Sequence, residues 1–223
     1  MTMQLHILFE DNHLLVVSKP AGLATMGVSK GESSLLSVAK EYIKQKYNKP
    51  GNVYLGVVSR LDSLVTGVVV FARTSKAASR LSEMYRTGQI EKTYWAIVSG
   101  VPQPEQGMLD NWLRKNEQQR KMEVTNSNAQ SAKHATLTYR VLKKLNQRSL
   151  LEIDLQSGRK HQIRVQLAYH GHPVLGDKKY GSNNSFPNGI ALHSRRLALL
   201  HPVKKKRLEL VAPTPKVWKS FLS

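Results

Sequence analysis

Residues 67–72 read Gly-Val-Val-Val-Phe-Ala, and this unbroken apolar run restricts the fold more than any other stretch of the chain. Three successive valines favour a strand, because their branched side chains are stiff and pack well on a pleated surface. A strand without polar alternation must be covered on both faces. Two neighbouring segments can supply the cover. Ser33 is placed to cap a helix running to about Tyr47, with Leu35, Leu36, Ala39, Tyr42 and Ile43 on one face and lysines on the other; Pro50-Gly51 ends it. Thr74 or Ser75 caps a second, with Ala77, Ala78, Leu81, Met84 and Tyr85 inward and Gly88 as its stop.

The rest of the chain alternates short strands and turns. Residues 6–9 and 14–18 flank the polar turn Glu10-Asp11-Asn12-His13 and predict a hairpin; Lys19-Pro20-Ala21-Gly22 then breaks regular structure. Residues 92–98 predict a strand and 102–107 a turn region. Residues 116–133 are polar and irregular, and are the expected mobile excursion. Leu137, Tyr139 and Val141 share one face of a strand, and Leu151, Ile153 and Leu155 one face of the next; residues 143–147 join them into a second hairpin. Gly158 precedes an expected helix of about ten residues, with Ile163 and Leu167 inward and Gly171 as its stop. Residues 208–211 predict a late strand. Strands outnumber helices and the links are hairpin-like, so the expected class is α+β with a mainly antiparallel sheet. The 223 residues suffice for one substantial core, and no composition shift divides them, so a single domain over 1–223 is expected.

Lysine and arginine number 34 against 15 acidic residues, a formal charge of +19. Such a surplus repels itself in the compact state and is readily explained by a polyanionic partner. Charge alone does not separate RNA from DNA or an acidic membrane surface. The lack of cysteine excludes disulfides, thiolate metal sites and cysteine nucleophiles. No secretory leader and no apolar run near the roughly 20 residues of a membrane helix is visible, so a soluble, intracellular chain with no membrane partner is expected. Glycine-rich phosphate loops are absent, leaving no support for a nucleotide cofactor.

Three places hold polar groups where the pattern predicts burial or a strand end. Ser59-Arg60-Leu61-Asp62 precedes the buried strand; it reads either as an ion-paired site or as a solvated surface turn. Tyr94 lies in the strand over 92–98 and reads, on its own, as core packing. Ser157-Gly158-Arg159-Lys160-His161-Gln162-Ile163-Arg164 sets cations at a helix start, where they oppose the helix dipole; an anion there would relieve the conflict, and a solvated basic turn is the alternative. His170 and His172 resemble half of a metal site but lack further ligands, so a solvated helix end is favoured and no metal is expected. Lys204-Lys205-Lys206-Arg207 reads as a basic hairpin turn before the strand over 208–211, in preference to a localisation signal.

Taken together these stretches resemble the RluA family of pseudouridine synthases, in order and over nearly the whole chain. Residues 7–22, ending Leu14-Leu15-Val16-Val17-Ser18-Lys19-Pro20-Ala21-Gly22, are similar to its opening motif. Arg60-Leu61-Asp62 with Thr66-Gly67 and residues 68–74 is similar to its catalytic motif, and Glu91-Lys92-Thr93-Tyr94 to its tyrosine motif. Residues 157–181, with His161-Gln162-Ile163-Arg164, Gly171-His172-Pro173 and Gly176-Asp177, resemble its third signature. Leu192-His193, Arg196-Leu197 and His201-Pro202 resemble its closing segment. A lone Arg-Leu-Asp carries no weight; five motifs in register do. The family has His where Ser59 stands and Thr where Val65 stands, and no segment resembles the S4 RNA-binding domain of some relatives.

The resemblance implies one pseudouridine-synthase-like domain with a catalytic cleft across a central mixed, mainly antiparallel sheet. It implies isomerisation of uridines in structured RNA, ribosomal or transfer, without a cofactor; oligomeric state is unreadable, and a cytoplasmic monomer is the simple expectation. Asp62 is the implied nucleophile, Arg164 its orienting cation, and Tyr94 the group that stacks on uracil and removes the C5 proton. Arg60 would fill the space of the extruded base, and Arg159, Lys160, His161 and Gln162 would hold RNA. The rival readings are an inactive relative that binds or chaperones RNA, motivated by Ser59 and Val65, and an unrelated basic protein, for which no helix-turn-helix or zinc pattern speaks.

Overall fold

The valine run lies within a strand every residue of which is buried, and its cover comes from the two helices nearest to it in sequence. The computed structural model describes residues 4–29 and 31–222. In chain order the elements are β1 (His6–Glu10), β2 (Leu14–Lys19), α1 (Leu35–Lys46), β3 (Gly56–Val57), β4 (Thr66–Ala72), α2 (Ser75–Arg86), β5 (Glu91–Ser99), β6 (Gln106–Asn116), β7 (Lys121–Thr125), β8 (Lys133–Leu145), β9 (Arg148–Leu155), α3 (Gln162–Tyr169), β10 (Leu192–Leu200), β11 (Arg207–Val211) and α4 (Lys219–Leu222). The class is α+β. The described residues gather into two compact units, one of residues up to 90 with 194–214, the other of 91–193 with those from 215 on. Among the described residues no helix is long and apolar enough to cross a membrane.

In the first unit β2 and β4 pair antiparallel, from Leu14 opposite Ala72 to Lys19 opposite Gly67. Alternation then sorts their side chains. Leu14, Val16, Val68 and Val70 meet Ala77, Leu81 and Met84 of α2, with Leu197 and Leu199 of β10. Leu15, Val17, Val69 and Phe71 meet Leu35, Ala39 and Ile43 of α1. Both faces are therefore apolar because each has its own helix. The strands run in the order β1-β2-β4-β10, with β3 beside β4 and β11 beside β10. Ser34, not Ser33, caps α1. Its hydroxyl accepts from the Ser37 N–H at 3.2 Å while the Ser37 hydroxyl accepts from the Ser34 N–H at 2.9 Å. That reciprocal box needs a polar side chain three residues on, and Ser33 has Leu36 there. Thr74 caps α2 through the Ala77 N–H. Gly67 opens β4 at φ +115°, and a Cβ there would fall 2.2 Å from the Ser194 carbonyl oxygen, so only glycine fits the close passage of the two backbones.

In the second unit the order is β5-β9-β8-β6-β7, every pair antiparallel. The polar stretch 116–133 contains a strand, β7, which returns against β6 from Trp112 opposite Thr125 to Asn116 opposite Lys121. Met122 and Val124 of β7 pack with Leu113, Ala135, Val165 and Tyr180. Two apolar residues are too short a signal for periodicity to register. The β8–β9 link is tighter than expected, because the strands extend to Leu145 and from Arg148. Helix α3 has eight residues rather than about ten, since His161 before it sits at φ 53°, outside the helical region. The turn between β10 and β11 carries Lys204, Lys205 and Lys206, and Lys204 pairs with Asp11 at 2.7 Å.

Candidate active site

Between β3 and β4 the chain makes the loop that carries Arg60 and Asp62, and three neighbouring groups fasten it. Thr25 serves Leu61 twice: its hydroxyl donates to the Leu61 carbonyl at 2.9 Å and accepts from the Leu61 N–H at 3.1 Å. The Asp62 carbonyl accepts from the Val65 N–H at 3.1 Å. The Ser63 carbonyl accepts from the Gly22 N–H at 2.9 Å and from the Lys19 ammonium at 2.9 Å. Leu61 packs into the α1 core and Val58 into the α2 core, which pins the loop on either side of Arg60. Ser59 is half-buried, and its hydroxyl accepts from Tyr85 of α2 at 3.0 Å. The serine that departs from the family pattern thus has a partner on a packed helix. Arg60 is exposed and Asp62 half-buried.

Lys19 is 1% exposed, an uncommon state for a lysine. Its ammonium donates to the Pro20, Leu23 and Ser63 carbonyls at 2.8, 2.7 and 2.9 Å. Burial pulls its pKa down to about 8, against the opposing pull of the Asp62 carboxylate. The break after β2 therefore has a purpose: it turns two carbonyls inward around one charge, and the Asp62 loop adds a third.

The second unit holds Tyr94, Arg164 and the turn between them in sequence. Tyr94 is half-buried on β5. Arg164 is 4% exposed on α3, and its guanidinium grips Asp177, Nε to Oδ2 at 2.6 Å and Nη2 to Oδ1 at 2.8 Å. Such a fork fixes the guanidinium plane. The Tyr180 ring lies 5.1 Å from that guanidinium, and its hydroxyl accepts from the Met122 N–H at 3.0 Å and meets His161 Nδ1 at 2.8 Å. Gln162 is buried and shapes the turn: its Oε1 accepts from the Ser157 hydroxyl and the Arg159 N–H at 2.8 and 3.0 Å, and its Nε2 donates to the Thr136 carbonyl at 3.1 Å. Arg159 and Lys160 are left exposed on that turn. With Lys133 they line an open cavity of about 730 Å³ whose floor includes Leu113 and Met122. Arg60 and Asp62 belong to the first unit, and the other expected site residues to the second. His172 Nδ1 lies 3.0 Å from the Ser99 carbonyl oxygen. No cluster of three or more metal-ligating side chains occurs among the described residues.

The comparisons with known proteins agree with one another. A family model described as RNA pseudouridylate synthase matches residues 13–169. The chain belongs to the RNA pseudouridylate synthase family. It is 33% identical over 223 residues to the ribosomal large subunit pseudouridine synthase D of Zymomonas mobilis, covering 95% of this chain and 69% of that one. It is 32% identical over 215 residues to the RNA pseudouridine synthase YhcT of Bacillus subtilis, covering 95% and 69%. The structure of human RNA pseudouridylate synthase domain containing 4 superposes with a TM-score of 0.80 at 28% identity, over 96% of this chain and 90% of that one. As a member of this family the chain is an enzyme that isomerises uridine in RNA.

Several residues that hold the expected site residues in place carry no role in the sequence reading. Lys19 and Asp177 stand inside quoted motifs, but nothing local says that the lysine turns inward or that the aspartate is the partner of Arg164. Tyr180, three residues beyond Asp177, is equally silent. The one available signal is scarcity: in a chain this basic, an aspartate beside a glycine in a quoted signature is a natural counter-ion for a buried arginine.

Proposed function

We propose that this enzyme converts uridines of large-subunit ribosomal RNA to pseudouridine, as a monomer in the cytoplasm, with its residues forming a single catalytic domain. Asp62 is the nucleophile or shepherd of the sugar: the bond from ribose C1′ to uracil N1 breaks, the base turns over and rejoins through C5, the C5 proton leaves and N1 takes one up. Nothing is consumed, so no cofactor enters. The Tyr94 ring stacks on the uracil and its hydroxyl is the base for the C5 proton. Arg164, its plane set by Asp177, supplies a fixed cation. Arg60, exposed two residues before Asp62, takes the place of the extruded base, an extrusion that costs a few kcal/mol. Arg159 and Lys160 hold phosphates, while Gln162 and His161 hold the turn that presents them.

The observation that carries the reading is the fastening of the Asp62 loop. Leu61 is bonded at both its backbone groups and Ser63 is bonded by a buried ammonium. A surface turn with a solvated salt bridge needs none of this; a carboxylate that must meet one sugar carbon does. The large-subunit substrate rests on the names of the relatives. The test is carbodiimide-based mapping of pseudouridine on unmodified large-subunit RNA transcripts incubated with the wild type and with Asp62→Asn. The wild type forms the product, and the variant loses at least about 10³-fold in rate while keeping its melting temperature within a few degrees. Full product from the variant removes Asp62 from its role. A wild type silent on every RNA tried would return the chain to the inactive, RNA-holding relative.

A further inference from the structure

Lys92 is half-buried on β5, two residues before Tyr94, and among the described residues no carboxylate pairs with it. Among the described residues its ammonium donates one hydrogen bond, to the Ser157 carbonyl at 3.5 Å. Its ammonium faces Gly158, where even a Cβ would come to 3.7 Å of Nζ. Burial, and then the like charge of Arg159, draw its pKa below that of an ordinary lysine. Arg159 adds no counter-charge either, since its Nε donates to the neutral His134 carbonyl at 2.8 Å. Two cations thus converge on a turn of small or backbone groups. A half-buried ammonium without an anion is costly, and a like charge beside it raises the cost. A methionine of similar length would avoid the cost, yet a lysine stands there.

An anion placed against Gly158 would offset both charges. Alternation puts Lys92 and Tyr94 on the same face of β5, about 7 Å apart along the strand. A single nucleotide spans that spacing between its base and a phosphate. Gly158, Arg159 and Lys160 also line the cavity that Lys133 borders, so a strand that touches Lys92 has a basic path onward.

We propose that Lys92 and Arg159, with Gly158 between them, form a seat for one phosphodiester, the one next to the nucleotide whose base lies on Tyr94. This rests on the reading of Tyr94 as the stacking residue. It makes Lys92 a binding and positioning residue, beyond the basic turn of Arg159 and Lys160. The glycine belongs to the seat because any side chain there would stand where the phosphate oxygens go.

The test measures binding of the full chain to a short labelled oligouridylate and to a labelled RNA stem-loop across a KCl series, for the wild type, Lys92→Met and Lys92→Arg. Lys92→Met should lower the slope of log affinity against log salt by about 0.7 to 1, one phosphate contact, and weaken both RNAs alike, whereas Lys92→Arg retains the slope. Its melting temperature should hold or rise, because an unpaired buried charge has gone. In turnover its KM should rise by a larger factor than kcat falls. A wild type that binds RNA while Lys92→Met keeps the same slope overturns the seat and leaves the synthase reading intact. A lower melting temperature with an unchanged slope would make Lys92 structural. A wild type that binds neither RNA overturns both.

Discussion

At the residue scale the most telling group is Lys19, since a charge buried to 1% exposure has to be there for a reason. Replacing it by Met leaves the Pro20, Leu23 and Ser63 carbonyls without their donor. The expected cost is about 3 kcal/mol of stability, and the freed Ser63 end of the loop should lower the pseudouridylation rate by about 10- to 100-fold. The pH dependence has a definite sign. Burial sets the folded pKa at about 8, below the 10.5 of a free lysine. Between those values the unfolded chain binds more protons, so this group's contribution to stability rises with pH across the window. Urea unfolding should therefore show the advantage of wild type over Lys19→Met widening from pH 8 toward pH 10.5; a gap that narrows would mean that the ammonium is not buried as described. The sequence places Lys19 beside a proline at a strand end, the ordinary setting of a surface lysine. Whether its stem runs inward depends on residue 63, 44 positions away, and no local pattern encodes that. Asp62, Tyr94 and Arg164 stand out as candidates only because five motifs stand in register. The links that hold them in place (Thr25 to Leu61, Asp177 to Arg164, Tyr85 to Ser59) are tertiary and leave no local mark.

At the scale of elements, legibility follows the amount of apolar surface each buries. β2, β4, α1 and α2 each present several buried side chains and stand within one or two residues of expectation. β7 offers Met122 and Val124 alone, so its signal is lost among polar neighbours. Besides its ladder with β6 and the apolar contacts of Met122 and Val124, β7 is tied down by Tyr180, which reaches the Met122 N–H, His161 and the face of the Arg164 guanidinium. Its hydroxyl therefore joins a hairpin to the start of α3, while its ring meets the arginine expected at the site. Tyr180→Phe keeps the ring beside Arg164 and removes the two hydroxyl bonds. The expected loss is about 1–2 kcal/mol, with faster hydrogen exchange at Met122 and along β7 while β5 and β9 stay protected. Unchanged exchange in β7 would show that its ladder with β6 suffices. The same variant should raise KM for RNA, because β7 and the Arg159–Lys160 turn share the cavity wall.

For the whole molecule the governing fact is the formal charge of +19. Most carboxylates are already engaged, from Glu10 with Lys46 and Arg73 to Glu209 with Arg196, so the excess cations have no protein counter-charge to meet. Two explanations predict different behaviour toward a polyanion. If the charge is merely diffuse, the unfolded chain, which carries the same charge, binds polyuridylate as well as the folded one does, and added RNA leaves the melting temperature flat or lower. If folding gathers cations into a track, as at Arg159, Lys160 and Lys133, the native state binds better. An RNA at about 100 times its dissociation constant then adds up to about 2.7 kcal/mol, which for a chain of this size is a rise of about 5–10 °C. Trp218, 1% exposed, offers the fluorescence signal for unfolding. The rise should shrink steeply with added KCl, because the linkage acts through phosphates, whereas KCl alone should raise the melting temperature of the RNA-free chain by screening its self-repulsion. Opposite responses to one salt, with and without RNA, separate a surface built for a polyanion from a chain that is only basic.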